Sequence, residues 1–561
     1  MFATIDRPRA EVSEKEACAI AEAVWSEFSQ LPGASSVPSS SFIQKATKLA
    51  KTSHENSFTD VCERFGLRAQ VPVSFVDVGL KDDHPILSVA DMIGCLSEKN
   101  KLDLLLTGHS PSQFQRFWEQ WRGSNSSHPV FQQHEGRLDT CVPVYIHLDE
   151  GTSIKKRGLM VTHWQPTLGK GTSRNKNDMN MLGASITTRF LYSCMLAKVY
   201  GGKQKNKPLL ELTKHLAQEL RMLFYDGLLV KVNGSSQRLF IICIGMKGDW
   251  AGLAKVGALN RSFHHDTPSK PFGNGICHLC KAGRENHPWH LVDYESMVQA
   301  HQDVPPPWRQ EPPLVQFIPC NPYKASFFRI DMFHTCHKGL CADIAANGIV
   351  TLIDLEIYGT ADVKIQLGVI YEELRFYCAN EGLQLHMMGL TRTLVGNWFK
   401  GADTVSICKF LQHKFASVLI ACEQDAQPYV RNILTMLRAC NKFMSTMYHG
   451  DVFLTNDERN TLIRTGYVIT SKFTACASHA FLTLNIPRYK YQPKFHFFAE
   501  VVFKLEEDRR AGVASVNPVL ESTQIDEDFI GRISKFSREV SSRTIHIRTC
   551  KKYLMSLASL W

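Results

Sequence analysis

The alternation of apolar and polar residues divides the 561-residue chain into a helical start, a strand-rich middle and a long helical remainder. "SEKEACAIAEAVWSEFSQL" (13–31) repeats apolar residues every three to four positions behind a Ser. "SPSQFQRFWEQWRG" (110–123) does the same and stops at a Gly, so both predict helices, separated by a linker that begins "PGASSVPSSS". From residue 141 the period changes. "CVPVYIHLD" (141–149) is β-branched and aromatic and predicts a strand ending at Asp149; "GLMVTHWQP" (158–166), beyond a basic turn, predicts its antiparallel partner. "ASITTRFLYSCMLAKVY" (184–200) and "PLLELTKHLAQELRMLFYDG" (208–227) predict helices, "LLVKV" and "RLFIICIGMKGD" a strand pair, and "WAGLAKVGAL" (250–259) a further helix. Between 340 and 485, "VIYEELRFYCANEG", "ICKFLQHKFASVLIACEQD" and "VRNILTMLRACNKFMSTMYHG" predict helices whose Met and Cys residues fill a core.

Strands, helix, another strand ending in an acid, then a helix is the order of an RNase H-like core. The expected fold class is therefore α/β: an RNase H-like mixed sheet interrupted by a large, mainly α-helical insertion and preceded by a helical N-terminal region. The segments are 1–135 (helical, of unclear role), 136–261 (first part of the core), 262–510 (insertion) and 511–561 (last part of the core, with a late acid). Asp149 on the first strand and Asp249 just after the fourth are the acids such a core places around two Mg²⁺ ions. Hard oxygen ligands suit that cation, and ions about 3.5–4 Å apart clamp the attacking and leaving oxygens of a phosphoryl displacement. Taken singly, each Asp also reads as an ordinary strand-end or helix-capping residue. An acid ending a buried strand needs compensation, and in this reading cations held between Asp149 and Asp249 supply it.

Charge sharpens the picture. The formal net charge is +10, and residues 151–207 hold eleven Lys/Arg (Lys155, Lys156, Arg157, Lys170, Arg174, Lys176, Arg189, Lys198, Lys203, Lys205, Lys207) against one acid, Asp178. That excess fits a polyphosphate partner as well as it fits a solvated face. The start of the chain has no charged-then-apolar signal, and no apolar stretch reaches the roughly 18 residues of a membrane span. Seventeen scattered cysteines predict reduced thiols in a cytosolic or nuclear compartment.

Cys277-x-x-Cys280 in "GNGICHLCKAGRENHPWH" (273–290) presents two thiols to one tetrahedral ion. His287 and His290 lie too close in sequence for the usual zinc-finger spacing. More distant ligands are offered by "RIDMFHTCHKG" (329–339), with Asp331, His334, Cys336 and His337, and by "YQPKFHFFAE" (491–500), with His496 and Glu500 one helical turn apart.

Taken in order, HLDEG, GD, CHLC, DMFH, PKFHFF and DEDFIGRI resemble the catalytic region of cut-and-paste transposases of the Kyakuja–Dileera–Zisupton (KDZ) and Plavaka group, relatives of CACTA elements and more distantly of the RAG recombinase. The resemblance covers roughly residues 140–545. It implies a DDE/D triad in which Asp149 is the first acid, Asp249 the second, and the third lies in "QIDEDFIGRISKFSREV" (524–540). Glu527 is favoured there because the following "FIGRISKF" buries one helical face; Asp526 and Asp528 compete, and all three also read as first-turn acids favoured by the helix dipole. The resemblance further implies a structural zinc on Cys277, Cys280 and His496, with Glu500 where relatives can carry a second His. Asp331 and His334 are expected near the active centre, His334 within reach of the scissile phosphate, and read equally well as a capping Asp and a core His. The implied function is a nuclear DNA transposase that cuts double-stranded DNA and joins 3′-hydroxyls to a target with two Mg²⁺ ions, as a homo-oligomer on DNA ends. The DNA backbone would be tracked by Lys155, Lys156, Arg157, Arg174, Lys176, Lys203, Lys205 and Lys207. The alternatives are a catalytically silent, domesticated copy that binds DNA or chromatin, and a nuclease of the same fold.

Overall fold

A computed structural model describes residues 14–31, 34, 37–50, 57–169, 185–232, 234–261, 274–392, 395, 401–558 and 560–561. Its centre is a five-stranded mixed sheet. β1 (Ser74–Val76) and β2 (His84–Ile86) form a small antiparallel pair ahead of it; β3 (Cys141–Thr152), β4 (Gly158–Pro166), β5 (Phe190–Leu196), β6 (Leu228–Val232) and β7 (Ser235–Lys247) build the sheet in the order β5-β4-β3-β7-β6. β3, β4 and β5 are antiparallel neighbours, β7 runs parallel to β3, and β6 returns against the start of β7 as a hairpin.

The expected helix over 184–200 is a strand flanked by single helical turns at Ser185–Thr188 and Ala197–Tyr200. Every residue of β5 is buried. A strand covered on both faces loses the period-two alternation that would distinguish it from a buried helix. β3 also runs three residues past Asp149, which lies opposite Val161.

The N-terminal part of the chain is less independent than its pattern implies. Helix α1 (Pro111–Asn125) begins at a Ser110/Gln113 capping box and runs two residues past Gly123. It buries Phe117, Trp118 and Trp121, and the Trp118 indole donates to the Cys141 carbonyl at 2.8 Å. From Ala69 onward, these residues share one hydrophobic core with the sheet. α2 (Lys207–Tyr225), packed against β7, buries Leu209, Leu212, Leu216, Leu220 and Leu223, a heptad-like stripe. α3 (Trp250–Val256) follows the end of β7.

A second core is helical. α4 (Cys341–Asp354), α5 (Val363–Asn380), α6 (Gly401–Ala421), α7 (Gln427–His449), α8 (Asn456–Leu482) and α9 (Pro493–Arg510) enclose apolar residues drawn from 276–505, close to the expected insertion of 262–510. The chain then returns to the sheet. α10 (Gln524–Arg538) and α11 (Ile545–Ala558) bury Phe529, Ile530, Ile533, Tyr553 and Leu554 in the first core. α10 can lie directly on β3 because residue 151 is Gly: a Cβ there would collide with the Ser534 hydroxyl and with Ile530. Among the described residues no helix is long and apolar enough to cross a membrane.

Candidate active centre and candidate metal site

Register brings the first two acids together. His147 of β3 pairs in parallel with Lys247 of β7, so two residues further along each chain Asp149 and Asp249 emerge from the same end of the sheet. Asp249 caps α3, its Oδ1 accepting from the Gly252 amide at 2.6 Å. Gly252 is required at this contact, since a Cβ would lie 2.7 Å from the Leu148 carbonyl oxygen; the start of α3 is thereby pressed against β3 beside Asp149.

α10 brings Glu527 to the same end. Asp149 and Glu527 share a hydrogen bond, and Asp149 is pushed up to about 8 by burial and by the like charges of Asp249 and Glu527. Glu527 is also raised, chiefly by burial. A group of acids that resist simultaneous ionisation is the electrostatic state that a divalent cation relieves.

The neighbours of Glu527 are committed elsewhere. Asp528 is exposed and pairs with Arg532 at 3.0 Å. Asp526 is fully buried and accepts from Lys247 Nζ at 2.9 Å, Arg189 Nε at 3.0 Å and His163 Nε2 at 3.1 Å. Burial opposes its ionisation, but Lys247, Arg189 and His163 hold its carboxyl well below the usual range. The positive charge demanded by a strand running into acid is therefore Lys247, and its partner is Asp526. Arg189, counted with the basic segment, is buried in this cluster and is not part of a DNA-facing surface.

Asp331 and His334 lie beside Glu527. His334 Nδ1 donates to Asp331 Oδ2 at 2.6 Å, leaving Nε2 3.7 Å from Glu527 Oε1. Asp331 also accepts from the Thr523 amide at 2.9 Å and its hydroxyl at 2.8 Å. Thr523 immediately precedes α10, so this motif pins the start of the helix that bears Glu527. The backbone over Phe333–Leu340 is a π-helix, a geometry that recurs at functional sites. His337 is buried with its ring against Tyr448, centroids 5.2 Å apart.

The second site lies in the helical region. Cys277, Cys280, His496 and Glu500 are all buried, and their ligand atoms lie within 4.8 Å of one another. His496 and Glu500 share one face of α9 a turn apart. The Cys277 thiol meets Glu500 Oε1 at 3.3 Å, and Cys280 Sγ meets His496 Nε2 at 3.2 Å. The surroundings hold this set in place. The Leu279 and Ala282 amides donate to the two sulfurs at 3.3 and 3.4 Å, His496 Nδ1 donates to the Trp289 carbonyl at 3.1 Å, and His301 Nε2 meets Glu500 Oε2 at 2.9 Å. Burial opposes ionisation of Cys277, yet hydrogen bonds with Cys280 and His496 bring its thiol to about 7. Two thiols, an imidazole turned by a backbone carbonyl and a carboxylate held by a second imidazole could hold a metal ion, and the donor set suits Zn²⁺. His287 and His290 stay outside this set.

His147, His163 and Asp526 also bring their ligand atoms within 4.8 Å, but both oxygens of Asp526 are already taken by Lys247 and Arg189, whose charges oppose a cation. This cluster, together with Thr523, is what the sequence reading missed. A Lys at the end of the apolar run of β7 and His residues inside "YIHLD" and "VTHWQ" were visible; which carboxylate they meet was not.

The basic residues divide into two exposed groups. Lys155, Lys156 and Arg157 form the turn between β3 and β4, and Lys203, Lys205 and Lys207 precede or open α2. Leu159 pairs with Leu196, so both segments emerge at the end of the sheet that carries Asp149. Arg174 and Lys176 lie outside the described residues. No protein-family model and no curated protein matches this chain.

Proposed function

We propose that the chain is a DDE-type DNA transposase of the KDZ/Plavaka kind, built on an RNase H-like core, that cuts double-stranded DNA and joins the freed 3′-hydroxyls to target DNA in the nucleus. The observation that carries this reading is the meeting of Asp149, Asp249 and Glu527. They come from a first strand, the end of the strand parallel to it, and a helix almost 280 residues further on, with a helical region inserted between the second and third acids. The sheet order supports the core assignment, with three antiparallel strands and a fourth laid parallel to the first. The two exposed basic segments at the same end of the sheet support a polyphosphate substrate.

The oxygens of Asp149, Asp249 and Glu527 are the hard donors that Mg²⁺ takes, and two such ions would supply an activated nucleophile and neutralise the leaving oxygen. The chain's own residues define the rest. α3 and α10, seated on β3 through Gly252 and Gly151, hold the three carboxylates at fixed separations. His334, oriented by Asp331, keeps Nε2 toward the space beside Glu527, where it can hold a proton against a phosphate oxygen. Zn²⁺ on Cys277, Cys280, His496 and Glu500 would tie the entry of the helical insertion to its last helix.

Mg²⁺-dependent cleavage of duplex DNA by the full chain tests this. Asp149→Ala, Asp249→Ala and Glu527→Gln should each abolish cleavage while Asp528→Asn retains it. Cleavage surviving any of the first three refutes the assignment, and cleavage without strand transfer reduces the enzyme to a nuclease.

A further inference from the structure

The insertion carries a charged surface that none of the residues above account for. α7 is 23 residues long, reads QPYVRNILTMLRACNKFMSTMYH, and contains no acidic residue. Its apolar face is buried from Tyr429 to Met447. The opposite face presents Arg431, Thr435, Arg438, Lys442, Ser445 and His449, spaced four, three, four, three and four residues apart, which puts them in one narrow stripe. Arg431, Arg438 and Lys442 are exposed. They make no ion pair with any described residue.

The flanking helices add few acids, and the exposed Glu423 and Asp425 lie in the turn before α7, six or more residues from Arg431. The only acid of α6 is Asp403, which is buried, and α8 has none beyond Asp457 and Glu458 in its first turn. The stripe is about 27 Å long at about 1.5 Å per residue, the rise of about eight base pairs of duplex. One end of the helix touches the candidate active centre. The Tyr448 hydroxyl donates to Gln524 Oε1 at 2.6 Å, and Gln524 lies three residues before Glu527 on α10.

We propose that the solvent face of α7 is a second DNA contact, a phosphate-tracking rail that carries duplex from the metal centre out along the helical insertion. A row of flexible cations and hydroxyls without aromatic residues or bidentate acceptors suits backbone contact and carries no base readout. An acidic protein partner would need apolar anchors between the charges, and the stripe has none. The inference rests on the DNA-processing reading above, and its test separates the two.

The experiment measures binding of a fluorescein-labelled 30-base-pair duplex to the full chain across a salt series without divalent metal, alongside Mg²⁺-dependent cleavage. Arg431→Gln/Arg438→Gln/Lys442→Gln should flatten the slope of log affinity against log salt by about two to three, at about 0.9 per lost phosphate contact, and weaken binding at least tenfold near 0.1 M salt. Arg431→Lys/Arg438→Lys, which keeps the charge, should retain the wild-type slope. An unchanged slope in the Gln variant, with cleavage by the wild type intact, overturns the rail and leaves the catalytic reading standing. A flattened slope in the Gln variant, together with a wild-type chain that never cleaves, supports the rail and sinks the catalytic reading. Polyglutamate bound through α7 by a chain that ignores duplex DNA overturns the rail in favour of an acidic protein.

Discussion

Replacing Asp526 by Asn isolates the buried cluster behind the candidate active centre. The substitution keeps the side chain's shape but removes the carboxylate to which both Lys247 and Arg189 donate, and those two side chains are each 2% exposed. Breaking a buried ion pair from one side costs about 3–5 kcal/mol, because the partner charge is left desolvated. At about 2–4 °C per kcal/mol for a domain of 150–250 residues, the melting temperature of the sheet core should fall by roughly 6–20 °C. Asp528→Asn is the matched control. Its carboxylate, 57% exposed, accepts from the Ser185 hydroxyl and from Arg532, itself 45% exposed; an amide oxygen can keep one of these bonds, so a loss of about 1 kcal/mol at most, hence about 2–4 °C, is expected. Differential scanning fluorimetry of the full chain reads both.

The sign of the pH dependence adds a second constraint. Asp526 is held well below the usual carboxylate range by Lys247, Arg189 and His163 despite burial. Its stabilising contribution is therefore complete above the unfolded value of about 3.9 and is lost as pH falls through the folded value. The gap between wild type and Asp526→Asn should stay constant from pH 7 to 5 and narrow only below about pH 4. Adding Lys247→Met to Asp526→Asn should recover part of the loss, because it removes one of the uncompensated charges. An Asp526→Asn protein melting within 2 °C of wild type while losing DNA cleavage would refute the reasoning and make Asp526, not Glu527, the third acid.

Three further outcomes follow from the geometry. Asp149 is raised to about 8, so a divalent ion must displace its proton below that pH; the apparent Mg²⁺ affinity of the chain should rise by up to about tenfold per unit from pH 6 to 8 and level off above, and a flat titration by calorimetry would refute this. Protein purified without chelators should contain about one zinc per chain by elemental analysis, and Cys277→Ser should lose it and speed amide exchange across 274–510 as a unit; less than about a tenth of an equivalent in the wild type would make the four residues an ordinary polar core. Exchanging Lys155, Lys156 and Arg157, or separately Lys203, Lys205 and Lys207, for Gln should lower the salt slope of DNA binding by up to about 2.7 for each set, and a set that leaves the slope unchanged does not contact the backbone.

The parts of this fold that were legible in the sequence are those fixed by local chemistry. The strand that carries Asp149 and the one that ends at Lys247 announce themselves by composition, and His496 and Glu500 by helical spacing. The Cys277/Cys280 pair was visible as a candidate thiol site, although the pair alone does not name its other ligands. The parts that were not legible depend on which side chains meet over long distances. β5 looked helical because both of its faces are buried, and residues 69–135 looked separate because their apolar stripes do not say what they pack against. The choice among Asp526, Glu527 and Asp528 could not be made locally, since successive helical residues point about 100° apart and any of the three could face the acids. What decides it lies 279 residues earlier. Lys247 sits at the end of a strand whose last nine residues are buried, and such a charge must find a carboxylate. Asp526 is consumed by that demand and Asp528 is held at the surface by Arg532, so Glu527 is the acid left to face Asp149. Polar residues stranded in apolar runs, His147, His163 and Lys247 together, were thus the strongest long-range information in the sequence. β3 carries His147 two residues before Asp149, and β7 ends at Lys247 two residues before Asp249, so the cluster that seats α10 and the acids beside it are positioned by the same two strands.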